Sequence, residues 1–213
     1  MPVSISGDGT ITGLVVGGLP NGVVDEDTLA NLAVSTGKIA NSAVTPAKST
    51  ISGGISEADM WRLTSSLQGN QLPITTGNIE RVDDASYTKL GTGMSCSGGV
   101  FSFPSTGIWQ VTWYAQVQTE TSTHQNVFTT EVTKSNGSSW DTTARARQGI
   151  YKMSTGTSFG TATSTCIVDV TSISGGDTVK VRFEYIAGQG SEYLIGDTTG
   201  NQTSWEFIKL GET

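Results

Sequence analysis

From Trp109 to Gln118 apolar and polar residues alternate. Trp109, Val111, Trp113, Ala115 and Val117 fall on one side and Gln110, Thr112, Gln116 and Gln118 on the other, with Tyr114 the one large ring among the polar positions. A period of two belongs to a strand with one face in a core and one in water. The pattern returns in Val179, Val181, Phe183 and Tyr185 against Lys180, Arg182 and Glu184, and in Cys166, Val168 and Val170 against Asp169 and Thr171. Further strands are expected over Asn126 to Lys134, Trp140 to Tyr151 and Thr203 to Leu210. Turn signals at Asn136-Gly137, Gly156, Gly175-Gly176-Asp177 and Gly188 to Gly190 separate them. Strands at this spacing predict an all-β, antiparallel two-sheet sandwich or jelly roll.

The segment just before the long strand sharpens this picture. Gly98-Gly99 makes a tight turn into the short aromatic strand Val100 to Phe103, Pro104 stops it, and Gly107 turns the chain again into the strand that follows. None of these residues carries catalytic chemistry, so this stretch specifies shape.

The chain has two unlike parts. Its five Trp, five Tyr and six Phe all fall between Trp61 and Phe207, and none precedes Gly54. The expected division is residues 1–54 as an attachment arm and short shaft, and residues 55–213 as the sandwich head. A segment without aromatics buries little area per residue and is expected to order by assembling with other chains. Within it runs a ten-residue repeat, NGVVDEDTLA from Asn21, NLAVSTGKIA from Asn31 and NSAVTPAKST from Asn41. Asn21, Asn31 and Asn41 align, as do Val24, Val34 and Val44. Ten is a multiple of the strand period and falls short of three helical turns, which favours a repeating strand and turn. Competing readings are a short helix from Thr28 to Val34 capped by Asp27, and a disordered linker.

On these residues the chain resembles known families. Gly98-Gly99-Val100-Phe101, Phe103-Pro104 and Thr106-Gly107-Ile108-Trp109-Gln110-Val111 are similar to the strand and turn signature of the complement recognition subunit's globular heads and of tumour necrosis factor-like jelly rolls. The resemblance spans roughly Met60 to Leu210, with Trp205 to Leu210 in place of the closing strand, and it implies a homotrimer of jelly rolls. The collagen stalk of the complement proteins is absent. More narrowly, the stretch from Met60 to Val111 is similar to head domains of bacteriophage structural proteins, and AVSTGKIANSAVTPAKS to stretches near the start of phage fibre proteins. The resemblance implies a virion protein assembled in the host cytoplasm, a trimeric fibre, spike or decoration. Its arm would bind capsid or tail proteins, and its head would be placed to contact a host surface glycan or protein.

Charge narrows the partners. A net charge of -7 with only 12 Lys and Arg disfavours nucleic acid and anionic membranes, since both need a basic face. The apolar run from Gly13 to Leu19 is too short to span a bilayer, and Met1-Pro2-Val3 lacks the basic start of a secretory signal. Cys96 and Cys166 have no metal-ligand spacing and are expected to be free thiols, with Cys166 a small core residue.

Candidate chemistry is sparse, and the chain is not expected to be an enzyme or to carry a cofactor or metal. The single histidine, His124, has no activated nucleophile beside it in sequence. The carboxylates of Asp25-Glu26-Asp27, Asp83-Asp84 and Glu192 could serve calcium or a glycosidase pair only if they converged, and adjacent Asp residues in a turn are usually solvated. Gly91-Thr92-Gly93 precedes no helix and makes no phosphate loop. The binding candidates are aromatics beside turns, Trp140, Tyr151, Phe159 and Tyr193, which could stack on a sugar ring or plug the ends of the sandwich.

Overall fold

The structure, a computed structural model, describes residues 4–5, 11–12, 39, 44, 54–120 and 123–213. The chain divides into two units, Met1–Gly53 and Gly54–Thr213. In the first, strands β1 (Ser4–Ile5) and β2 (Ile11–Thr12) pair antiparallel. The ten-residue repeat and the helical alternative from Thr28 to Val34 lie outside the described residues, apart from Ile39 and Val44, which are exposed.

In the second unit every paired strand is antiparallel. The chain opens with β3 (Ala58–Leu63), β4 (Ser65–Gln68), a 3₁₀ turn at Thr76–Asn78, β5 (Ile79–Arg81), β6 (Ser95–Ser97) and β7 (Val100–Ser102). Then come β8 (Gly107–Thr119), β9 (His124–Thr133), β10 (Asp141–Ile150), β11 (Ser158–Val170), β12 (Lys180–Ile186), β13 (Tyr193–Asp197) and β14 (Ser204–Gly211). Sheet I has the order β4-β13-β8-β14-β3-β5, with β11 on the free edge of β8; sheet II has the order β10-β9-β12-β7-β6. The strands β3, β14, β8 and β11 thus form one layer and β7, β12, β9 and β10 the other, so the chain passes repeatedly between layers. This is the jelly-roll arrangement of two Greek keys, and the all-β antiparallel fold expected from the alternation is the fold observed.

The alternation is realised residue by residue. Trp109, Val111, Trp113, Ala115 and Val117 of β8 are all buried, as are Val179, Val181, Phe183 and Tyr185 in and just before β12, while Tyr114 faces outward. Rings from the two layers interlock. Phe101 and Phe183 of sheet II lie 5.0 and 5.5 Å from Phe207 and Trp205 of sheet I, and Trp113 lies 5.4 Å from Phe183. Each such ring contributes about 1.5–3 kcal/mol by burial, and offset or edge contacts add a further fraction. The core tolerates two buried indole N–H groups, of Trp113 and Trp205, that have no hydrogen-bond partner. Cys166 faces inward with Val168 and Val170 but is only half-buried, near the free edge of sheet I, and is therefore not the enclosed core residue expected.

Two glycines of the sequence signature are required by geometry. Gly99 has φ 77°, and a Cβ there would collide with the carbonyl oxygen of Ile74. Gly107 has φ 135°, and a Cβ there would meet Lys209 and the carbonyl oxygen of Gly211. Glycine therefore lets both chain crossings close.

Sheet I is fastened at β3 by polar bonds as well as by the apolar packing of Trp61 and Leu63. Asp59 is buried and its carboxylate accepts from Met94 N (2.7 Å), Tyr87 Oη (2.8 Å), Trp61 Nε1 (2.9 Å) and the Arg81 guanidinium. Such a carboxylate is satisfied on every side, which offsets the cost of its burial.

Candidate functional site

Sheet II carries a cleft on its outer face. Its wall is built by the loop from β9 to β10. At the end of β9 the buried hydroxyl of Thr133 accepts from Ser135 N (3.1 Å) and Gly137 N (3.0 Å), and Asn136 takes a left-handed φ of 55°, which asparagine tolerates. The loop is thereby held back over the sheet. Trp140, at its end, meets the outward-facing Arg182 of β12, whose guanidinium carbon lies 4.4 Å from the ring centroid.

Arg182 is fixed in turn. Its Nε donates to Glu131 at 2.7 Å, and its Nη2 lies 2.6 Å from Glu131 and 3.2 Å from Glu184. Burial and the charge of Glu131 raise the Glu184 carboxyl above its ordinary range. A cavity of about 340 Å³ opens beside this group, lined among others by Ser97, Ser102, Asn136, Trp140, Lys180 and Arg182. Lys180 pairs in register with Ser102, and Arg182 with Val100, so the floor consists of strand residues at fixed positions.

The four aromatics expected to form binding loops are not brought together. Trp140 is in a loop but half-buried under Arg182, so one of its faces is already covered. Tyr151, just past β10, is 78% exposed. Phe159 and Tyr193 are strand residues, in β11 and β13, and correct the expectation of loops. Both pair with Gln118 of β8, and Tyr193 pairs also with Gln68, so Phe159, Gln118, Tyr193 and Gln68 form one row across the outer face of sheet I. Aromatic residues suit such a pleated surface. The groups that sequence reasoning missed, Ser97, Ser102, Lys180 and Arg182, each sit on the polar side of an alternating strand and carry no local motif.

The outer face of sheet I differs in chemistry. Along β8 the outward positions are Ile108, Gln110, Thr112, Tyr114, Gln116 and Gln118, and along β11 they are Phe159, Thr161, Thr163, Thr165 and Ile167, with no charged residue until Asp169. Tyr114, Phe159 and Ile167 are exposed on it at 41%, 58% and 54%.

The acidic candidates are engaged elsewhere. Asp83 and Asp84 remain exposed to solvent, as expected of adjacent Asp residues in a turn, and both also bind the buried Arg62 guanidinium, Asp84 at 3.1 Å, where Glu80 joins them at 2.7 Å. Glu192 is fully buried and accepts from the backbone N–H of Gly188 (2.8 Å) and Gln189 (3.3 Å). Asp25, Glu26 and Asp27 lie outside the described residues. His124 begins β9 beside Gly188. In the Gly91-Thr92-Gly93 turn the Lys89 ammonium donates to the carbonyls of Gly91 and Thr92. Among the described residues no three His, Cys, Asp or Glu side chains converge as a metal site. Cys96 and Cys166 are free thiols on different sheets, each pushed up to about 11 by burial.

No family model matches the chain, and no curated protein matches it. Among solved structures it is similar to murine APRIL. The crystal structure at pH 5.0 aligns with a TM-score of 0.48 and 14% identity, and that at pH 8.5 with 0.43 and 12%; each alignment covers 72% of this chain and 98% of that one.

Proposed function

We propose that this chain is a virion structural protein of a bacteriophage, a fibre, spike or decoration subunit whose jelly-roll head assembles as a homotrimer through the outer face of sheet I. The segment Met1–Gly53 anchors it to capsid or tail proteins, and the head projects toward the host surface. The observation that supports assembly is the outer surface of β8 and β11, uncharged from Phe159 to Ile167, with Tyr114, Phe159 and Ile167 exposed on it. Chains that each carry a net charge of -7 repel one another, and the uncharged stretch of β8 and β11, bordered by Glu206 and Asp169, lets copies meet there with no carboxylate at its centre. The phage assignment is supported by the likeness of the head sequence and of the repeats at Asn21, Asn31 and Asn41 to phage structural proteins.

The test is antibody against the Gly54–Thr213 unit applied to phage particles that encode this chain, viewed by negative-stain microscopy. Labelling of capsid or tail is expected, with the antigen sedimenting with intact particles. Antigen found only in the soluble lysate would overturn the virion assignment.

A further inference from the structure

We infer that the Trp140 cleft of sheet II binds a negatively charged sugar, a uronic acid unit of a surface glycan. The inference rests on the reading of the head as an outward-facing attachment domain and adds the site and the ligand chemistry. Its volume of about 340 Å³ lies at the small end of ligand pockets and suits one or two sugar rings.

Charge selects the ligand. In a chain of net charge -7, the charged groups lining this cleft are two cations, Lys180 and Arg182, and no carboxylate lines it. Arg182 is engaged by two carboxylates, Glu131 and Glu184, on the side away from the cleft lining. Lys180 makes no ion pair or hydrogen bond with any described residue, so its ammonium is the cation at the floor left without a direct partner. A single carboxylate would complete it.

Shape and polar groups select a sugar over a simple anion. Trp140 lines the cleft with the part of its ring that Arg182 leaves uncovered, and because Arg182 holds the ring on one face, little side-chain entropy remains to be lost when sugar C–H groups pack against it. The Ser97 and Ser102 hydroxyls and the Asn136 amide supply donors and acceptors for ring hydroxyls on the same cleft. Ser102 and Lys180 are cross-strand partners, so the hydroxyl and the charge are presented at a fixed separation by rigid strands.

The experiment labels the full 213-residue chain with 5-fluorotryptophan and follows its five tryptophan ¹⁹F signals, with Trp140→Phe identifying the Trp140 signal. The probes are methyl β-glucuronide, methyl β-glucoside and methyl phosphate. A saturable shift confined to Trp140 is expected with the glucuronide, weakening as salt rises. Lys180→Met and the uncharged glucoside should each lower affinity roughly tenfold, the loss of one charge-assisted bond. Arg147→Gln, on the same sheet but away from the cleft lining, should bind as the unaltered chain does.

No Trp140 shift, equal response to glucuronide and glucoside, or binding insensitive to Lys180→Met would overturn the site. A stronger response to methyl phosphate would replace the sugar with a plain anion. If particles are labelled by antibody and no sugar moves Trp140, the cleft inference fails while the virion reading stands; if the glucuronide binds and particles are unlabelled, the reverse holds.

Discussion

The two outer faces of the sandwich are built from strands of similar length over one shared core, yet they present opposite chemistry. Sheet II exposes Arg145 and Arg147 on β10 and carries Glu131, Lys180, Arg182 and Glu184 on β9 and β12, a charged face on which Arg182 is paired with Glu131 and Glu184. Sheet I offers glutamines, threonines and three exposed apolar side chains along β8 and β11. A charged face is stable in water, and in the proposed cleft it presents Lys180, which has no ion-pair partner among the described residues, to a ligand. An uncharged face of rings and hydroxyls is stable in water only at a cost in exposed apolar area, which contact with other copies removes. On the proposed reading the difference divides the labour: one sheet assembles and the other meets the environment.

The largest expected effect comes from the core behind both faces. Trp113→Ala should cost about 3–5 kcal/mol in chemical denaturation, because the ring touches Phe128, Phe183 and Trp205 and leaves a cavity between the layers. Asp59→Ala should cost a similar amount, about 3 kcal/mol or more, by stranding the Arg81 guanidinium and the N–H of Met94. If either variant melted as the unaltered chain does, the shared core would be misplaced.

Next in size is a charge placed on each face in turn. Ile167→Glu on sheet I should leave the subunit fold within about 0.5 kcal/mol, because the site is exposed, while weakening assembly by about 2–5 kcal/mol through burial of an unpaired carboxylate. Val127→Glu on sheet II, where Val127 pairs with Arg147, should leave assembly unchanged. Equal behaviour of the two variants in light scattering would erase the contrast.

A smaller effect is expected from alkali, and it should reach both sheets. Cys96 on sheet II and Cys166 on sheet I are each raised from 9.0 to about 11 by burial, and Tyr87 from 10.0 to about 12 by burial and its bond to Asp59. The folded state holds these protons more tightly than the unfolded chain. Their contribution is therefore fully present below pH 9 and is lost as pH rises from 9 through about 11 to 12. Melting temperature should fall across that window, and Cys96→Ser with Cys166→Ser should flatten the fall between pH 9 and about 11. A melting temperature that rose there would contradict the burial of both thiols.

Much of this fold is legible in the sequence, and the reason is the strict period of two in β8, β12 and β14. There a hydrophobic residue faces the core at nearly every second position, an exception being Lys209 at the end of β14, which is buried and paired with Glu212. β3 is different. Asp59 and Arg62 are buried polar residues held by partners 18 to 35 positions away, so their burial is a property of the assembled sheet rather than of the local pattern. Phe159 and Tyr193 read as loop residues because glycines flank them. Gly160 lies inside a strand, where its bare backbone lets Ile150 and Gln148 of β10 approach. Within the cleft, Trp140 was recognisable as an aromatic beside a turn. Its partners Ser97, Ser102 and Lys180 come from strands 38 or more residues away and meet it only through the order β9-β12-β7-β6.

Sedimentation equilibrium of the full chain at micromolar concentration, beside Ile167→Glu, tests the division between the two faces most directly. The account predicts a species of three times the 22.3 kDa chain mass for the unaltered protein and a folded monomer for the variant. A folded monomer for both, or a trimer that Ile167→Glu leaves intact, would contradict the assignment of sheet I as the assembly face.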